Sequence, residues 1–118
     1  MNIEEKNEGQ KINYAVNKST IVFDETISVN VARYQKDFEN VIDVCIDNNM
    51  QLTTGLGKWY AANIIIPPRK YNMVDTGTKD DKENEIYDRV AEPLNMDDVT
   101  LVLWTLPVNY TALAGGAF

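Results

Sequence analysis

The chain has 118 residues, 44% of them hydrophobic and 25% charged, with a formal net charge of −7 and no histidine. A chain of this size forms one domain, residues 1–118, that buries roughly two-thirds of the surface its unfolded form exposes. Without histidine there is no Ser-His-Asp or Cys-His catalysis and no His-ligated zinc, and a negative surface repels phosphate backbones, which argues against nucleic-acid binding.

Taken in chain order, the dominant period is two, the signature of strands. The opening "MNIEEKNEGQK" lacks the cationic start and apolar run of a signal peptide, so synthesis in a cytoplasm is expected. "KINYAV" puts Ile12, Tyr14 and Val16 on one face of a first strand, "NKST" supplies turn residues, and "IVFDE" follows as a second strand. "TISVNVARY" alternates Ile27, Val29 and Val31 against Ser28, Asn30 and Ala32. In "ARYQKDFENV", Tyr34 and Phe38 lie four apart, which suits a short helix or a wide bend equally. "NVIDVCID" alternates Ile42, Val44 and Ile46 against Val41, Asp43 and Cys45, and "DNN" after it tolerates the left-handed backbone of a tight hairpin turn.

The two glycines of "TTGLG" predict a bulge or corner before the stretch "GKWYAANIIIPPRKY". On a regular extended backbone Tyr60, Ala62, Ile64 and Ile66 share one face, which the composition assigns to the core. Trp59 then points away beside Asn63 as an exposed anchor. Pro67 and Pro68 cannot donate ladder hydrogen bonds and end the strand. Residues 73–85, "MVDTGTKDDKENE", read as a flexible acidic loop or hairpin tip. "IYDRVAEPLNM" is ambiguous: Ile86, Val90 and Leu94 fit a helix at four-residue spacing, yet Pro93 limits its length. "DDVTLVLWTLPV" is apolar on both faces, so it predicts a central strand, with Trp104 in the core. The Gly/Ala-rich tail, residues 109–118, needs something to dock against. Together these predict an all-β fold: a small antiparallel β-sandwich or barrel-like domain of about seven or eight strands and at most one short helix.

Little of this looks like chemistry. The lone Cys45 reads as an inert, half-buried thiol. No apolar run approaches the roughly 20 residues a membrane span needs, and no glycine motif cradles phosphate. A calcium loop starting at Asp75 would place Lys79 where an oxygen ligand is required. With general acid, nucleophile and cofactor signatures missing together, the expectation is no enzyme, no metal and no cofactor.

Two blocks, "TTGLGKWYAANIIIPPRKY" and "NMDDVTLVLWTLP", with "ISVNVARYQKDFENVIDVCIDN" ahead of them, resemble small late-region proteins of phages and prophages of Gram-positive bacteria. The resemblance rests on Gly55-Leu56, Tyr60, Ile66-Pro67-Pro68-Arg69-Lys70-Tyr71 and Thr100-Leu101-Val102-Leu103-Trp104, and covers about two-thirds of the chain, from Thr26 to Leu106. Pro68 departs from it, since small residues such as alanine are usual there.

Such genes lie near tail, baseplate or fibre genes, including those of phage-tail-like bacteriocins. The resemblance therefore implies a non-enzymatic structural component of a phage tail or tailocin particle. It would form a homo-oligomer or larger assembly with other tail or fibre proteins, with no membrane partner. Contacts are expected from sheet edges and from Trp59, Arg69, Tyr71, Leu113 and Phe118. Two alternatives stand beside this reading. A carbohydrate-binding module would stack sugars of the cell surface on Trp59 and Tyr71. An acidic inhibitor of a host nuclease, in the manner of an anti-CRISPR, would present residues 80–85 to a basic channel.

Overall fold

The alternating segments form strands that lie in three separate sheets. The computed structural model describes residues 1–110, which are mostly β, with ten strands, two 3₁₀ turns and no α-helix among them. The largest sheet has five strands. Strand β1 (Asn2–Glu5) runs parallel to β10 (Thr100–Leu103), and β10 is antiparallel to β7 (Trp59–Ile66). Beyond β7 come β5 (Asn40–Ile46) and the short β6 (Leu52–Thr54), both antiparallel. A three-stranded meander holds β2 (Tyr14–Asn17), β3 (Thr20–Phe23) and β4 (Ile27–Asn30). The third sheet is a hairpin of β8 (Tyr71–Lys79) and β9 (Glu85–Ala91). None of the sheets closes into a barrel.

One core joins the first two sheets. Ile21, Phe23 and Val29 of the meander meet Val44, Ile46, Ala62, Ile64, Leu101 and Leu103 of the five-stranded sheet, with Ile12 closing one side. Lys18 at the β2–β3 turn and Asp24 and Glu25 at the β3–β4 turn all have positive φ, as tight hairpin connections require. Asp24 is buried, and Tyr110 Oη donates to it at 2.5 Å, which ties Tyr110 to the meander. Burial, then this contact with Asp24, pushes the Tyr110 phenol above its ordinary range.

The central placement of β10 agrees with its sequence: it has a strand on each side and is buried on both faces. Several expectations fail for physical reasons. The five-stranded sheet is mixed, because β1 adds to the free edge of β10 in parallel, pinned by the Asn2 amide donating to Val99 O and the Lys6 amide to Leu103 O. Nothing in "NIEE" alternates, so this strand exists through its neighbour's hydrogen bonds. The helical spacing of Ile86 and Val90 is overridden by pairing with β8, and β9 is a strand. Most of the segment expected as a flexible acidic loop, residues 73–85, is ladder: only Asp80 to Asn84 form the tip. Val31 to Tyr34 form a 3₁₀ turn, and the bend to β5 follows it.

The most consequential correction lies in β7. Val44 pairs with Ala62 but the next residue, Cys45, pairs with Tyr60, so Ala61 is an extra residue. This bulge moves everything before it to the opposite face. Ala62, Ile64 and Ile66 face the core as expected, but Trp59 packs half-buried against the core and Tyr60 turns outward, 45% exposed. Trp104, also expected in the core, is only half-buried.

The entry to β7 is held by close approach. The Lys58 amide donates to Ile46 O, and a Cβ on Gly57 would stand 2.5 Å from Cys45 Cβ and 3.3 Å from Ile46 O. Gly57→Ala is therefore expected to cost about 1–3 kcal/mol through overpacking, seen as a lower denaturant midpoint. Cys45→Ala keeps the offending Cβ and should give no relief. In a Cys45→Gly background the Gly57→Ala penalty should shrink, and an undiminished penalty there would refute the contact as its cause.

Candidate functional site

Strands β8 and β9 build an arm that belongs to neither sheet of the body. At about 3.4 Å per residue, the nine residues of β8 span about 30 Å, and the described chain measures 71 × 22 × 21 Å. The register places Asn72, Val74 and Thr76 on one face with Ile86, Asp88 and Val90, and Tyr71, Met73 and Asp75 on the other with Tyr87, Arg89 and Ala91. Val74 is thus diagonal to both Ile86 and Val90, while Met73 is diagonal to Tyr87. All five are exposed, Met73 most of all at 65%. Each face carries an apolar stripe, and none of these residues joins the core.

The tip is built differently. The Asp80 carboxylate accepts from the amides of Lys82 and Asn84 and from the Asn84 side chain, and Glu83 takes a positive φ. The Asn84 amide, opposed by a smaller effect of desolvation and helped by the Lys82 amide, holds the Asp80 carboxyl below its usual range. That carboxylate is committed to shaping the turn, and no group of three or more acidic or cysteine side chains among the described residues is arranged to hold a metal.

At its root the arm is bolted to the bend after the first 3₁₀ turn. Tyr71 Oη donates to Asp37 Oδ1 at 2.5 Å, and Arg69 Nη1 donates to the same oxygen at 3.2 Å. Arg69 Nη2 donates to Gln35 O at 2.6 Å, the Arg69 amide to Lys36 O, and the Arg89 guanidinium stacks 3.6 Å from the centre of the Tyr71 ring. The Tyr71 hydroxyl, ahead of the Arg69 and Arg89 charges, holds the Asp37 carboxyl below its usual range despite some desolvation. A depressed carboxylate stabilises the contact at all pH values above the ordinary Asp range, and that contribution is lost as pH falls through the lower folded value. The carboxyl carbon of Asp37 is therefore expected to titrate below the ordinary midpoint of about 3.9 and to move up in Tyr71→Phe. A midpoint unchanged by that substitution would refute the hydrogen bond as its cause.

A second cluster lies on the outer face of the five-stranded sheet. Trp104 Nε1 donates to Asn63 Oδ1 at 2.6 Å, and Asn63 Nδ2 donates to Asp43 Oδ1 at 2.8 Å, a chain that crosses β7 from the end of β10 to β5. The Tyr60 and Trp104 rings lie 5.5 Å apart at 32°. Below them Val102 and Cys45 are buried but stand outside the main core. Burial and then the Asp43 charge push the Cys45 thiol up, which favours its protonated form. Alongside, a groove of about 640 Å³ runs between β4 and β5, lined by Ile27, Val29, Tyr34, Val41 and Leu52. It exists because β6 pairs only with Val44 to Ile46 and the Gly55 amide reaches back only to Asp43 O, leaving Asn40 to Ile42 without a partner strand on that side.

Of the residues singled out from sequence, Arg69 and Tyr71 are brought together at the arm root. Trp59 is not an exposed anchor there: it packs against the core with Lys58 Nζ 4.6 Å above its ring. Leu113 and Phe118 lie outside the described residues. Sequence reasoning missed Asp37, Arg89, the outer-face cluster and the apolar stripes of the arm. No alternation in Asn72 to Thr76 signals the stripes, and the bulge at Ala61 has no signal either, since the glycines point to residues 55–57. The chain matches no known protein family model, no curated protein and no solved structure.

Proposed function

We propose that this protein is a non-enzymatic interaction component of a larger assembly, a phage tail or phage-tail-like particle, which it joins through the β8–β9 arm. The observation that carries the reading is the arm itself. A lone two-stranded ribbon is at best marginally stable in water, and this one exposes apolar stripes on both faces that the body cannot cover. Two strands about 4.8 Å apart make the ribbon about 10 Å wide, so each face offers about 300 Å². Covering both gives about 600 Å², most of the roughly 800 Å² that a stable pairing takes from each partner. The unpaired start of β5, Asn40 to Ile42, beside the groove supplies a second, short contact of the strand-addition kind.

The location in a tail particle comes from the resemblance of the two sequence blocks; the mode of contact comes from the arm. The sandwich expectation fits this reading: two sheets packed on one core leave the arm free to project. The test is a mass-spectrometric inventory of purified particles. The protein should be present in fixed stoichiometry, and Val74→Asp/Val90→Asp should be made in normal amounts yet missing from the particles. Absence of the unaltered protein from the inventory would remove the particle assignment, and undisturbed incorporation of the variant would remove the arm.

A further inference from the structure

The geometry points to the Tyr60–Trp104–Asp43 face as a receptor for an arginine side chain of a basic partner segment, on a surface separate from the arm. Three features of the cluster carry this. First, the hydrogen bond from Trp104 Nε1 to Asn63 fixes the indole plane, and Tyr60, 45% exposed, extends the aromatic surface beside it. A guanidinium stacks on such faces, and better than an ammonium because it is planar and less strongly hydrated. Second, Asp43 stands at the end of the same chain with one oxygen occupied by Asn63, and no basic side chain among the described residues pairs with it. Among the described residues, the cations that sit on rings lie over Phe38, Trp59 and Tyr71, and none lies over Tyr60 or Trp104. Third, Asp43 also borders the groove, so an extended segment lying there would pass the carboxylate.

Charge complementarity decides the occupant. The chain is at −7, and this face offers an aromatic pair joined through Asn63 to a carboxylate that has no cationic partner among the described residues. The same ingredients already hold an arginine at the arm root, where Arg89 stacks on Tyr71 and Asp37 closes the ring's edge. On the outer face the aromatic and the acid are in place and the arginine is missing. A partner segment can supply it, with the guanidinium over the rings and its N–H groups donating to the free Asp43 oxygen.

The experiment follows Trp104 fluorescence in a Trp59→Phe background, with an acetylated and amidated hexa-arginine peptide as the probe. Hexa-lysine and maltohexaose are run beside it, at low and at physiological salt. The expected result is saturable quenching by hexa-arginine, several-fold weaker binding of hexa-lysine, and no response to the sugar. Asp43→Asn, whose amide oxygen can still accept from Asn63, should weaken the peptide at least tenfold. Tyr60→Leu should do the same through the ring. Asp81→Asn/Glu83→Gln at the arm tip should change nothing, which separates this face from general attraction to an acidic protein. Equal binding by the Asp43→Asn and unaltered proteins overturns the proposal, as does no quenching by hexa-arginine, or quenching by maltohexaose alone, which would make the face a sugar platform. Loss of particle incorporation in arm variants leaves this titration unaffected, so the two readings fail separately.

Discussion

Excision of residues 72–90, with Tyr71 joined to Ala91 through two glycines, is expected to leave a folded domain that no longer assembles. Tyr71 and Ala91 are directly paired, so a two-residue link closes the gap without moving either sheet of the body. None of the removed side chains belongs to the core. The root contacts that involve Tyr71, Arg69 and Asp37 remain, and only the Arg89 stack is lost. The expected change in body stability is within about 1 kcal/mol, in line with exposed substitutions away from packed sites. Incorporation into particles, by contrast, should fall to background. The measurement is a denaturation curve set against particle content. A domain that unfolds on excision would mean that the arm stabilises the body, which contradicts the division between them.

Phe23→Ala should do the opposite, destroying the body while leaving the arm's surface chemistry untouched. Phe23 is fully buried in β3, pairs with Tyr14 and Ile27, and belongs to the cluster through which the meander meets the five-stranded sheet. Truncating a buried phenylalanine costs about 3–5 kcal/mol, the lost transfer free energy plus the cavity left behind. Against a total of about 5–15 kcal/mol for a small domain, that is enough to leave much of the chain unfolded on mild warming. Val90→Ala in the arm, removing apolar atoms that are half exposed, should lie within about 0.5 kcal/mol of the parent. Thermal or denaturant midpoints compare the two directly. Similar losses in both would show that arm and body fold as one cooperative unit.

How much of this was legible beforehand follows from what a period of two can encode. It fixes which residues share a face wherever the ladder is regular, and so the shared buried faces of Val29 and Val31, of Val44 and Ile46, and of Ile64 and Ile66 are legible in the sequence. It cannot encode a register slip. One extra residue at Ala61 exchanged the roles of Trp59 and Tyr60, so the tryptophan read as an anchor packs inside and the tyrosine read as core stands outside. Nor does alternation report which partner a strand finds. The window from Met73 to Glu85 reads as a loop or hairpin tip because its charges are concentrated at Lys79 to Glu85; the tip is there, but the stem from Met73 onward has no alternation to reveal the ladder. The root cluster depends on Asp37 meeting Tyr71 from 34 residues away, a contact that only the folded chain creates.

Amide hydrogen exchange of the arm tests the central claim most directly. If the body is complete and the arm is waiting for a partner, β8 and β9 amides in the dilute, isolated protein should exchange orders of magnitude faster than those of β7. In assembled particles they should slow towards the β7 rate. Arm amides as protected as β7 in the isolated protein would contradict the account, because the ribbon would then be stable without a partner.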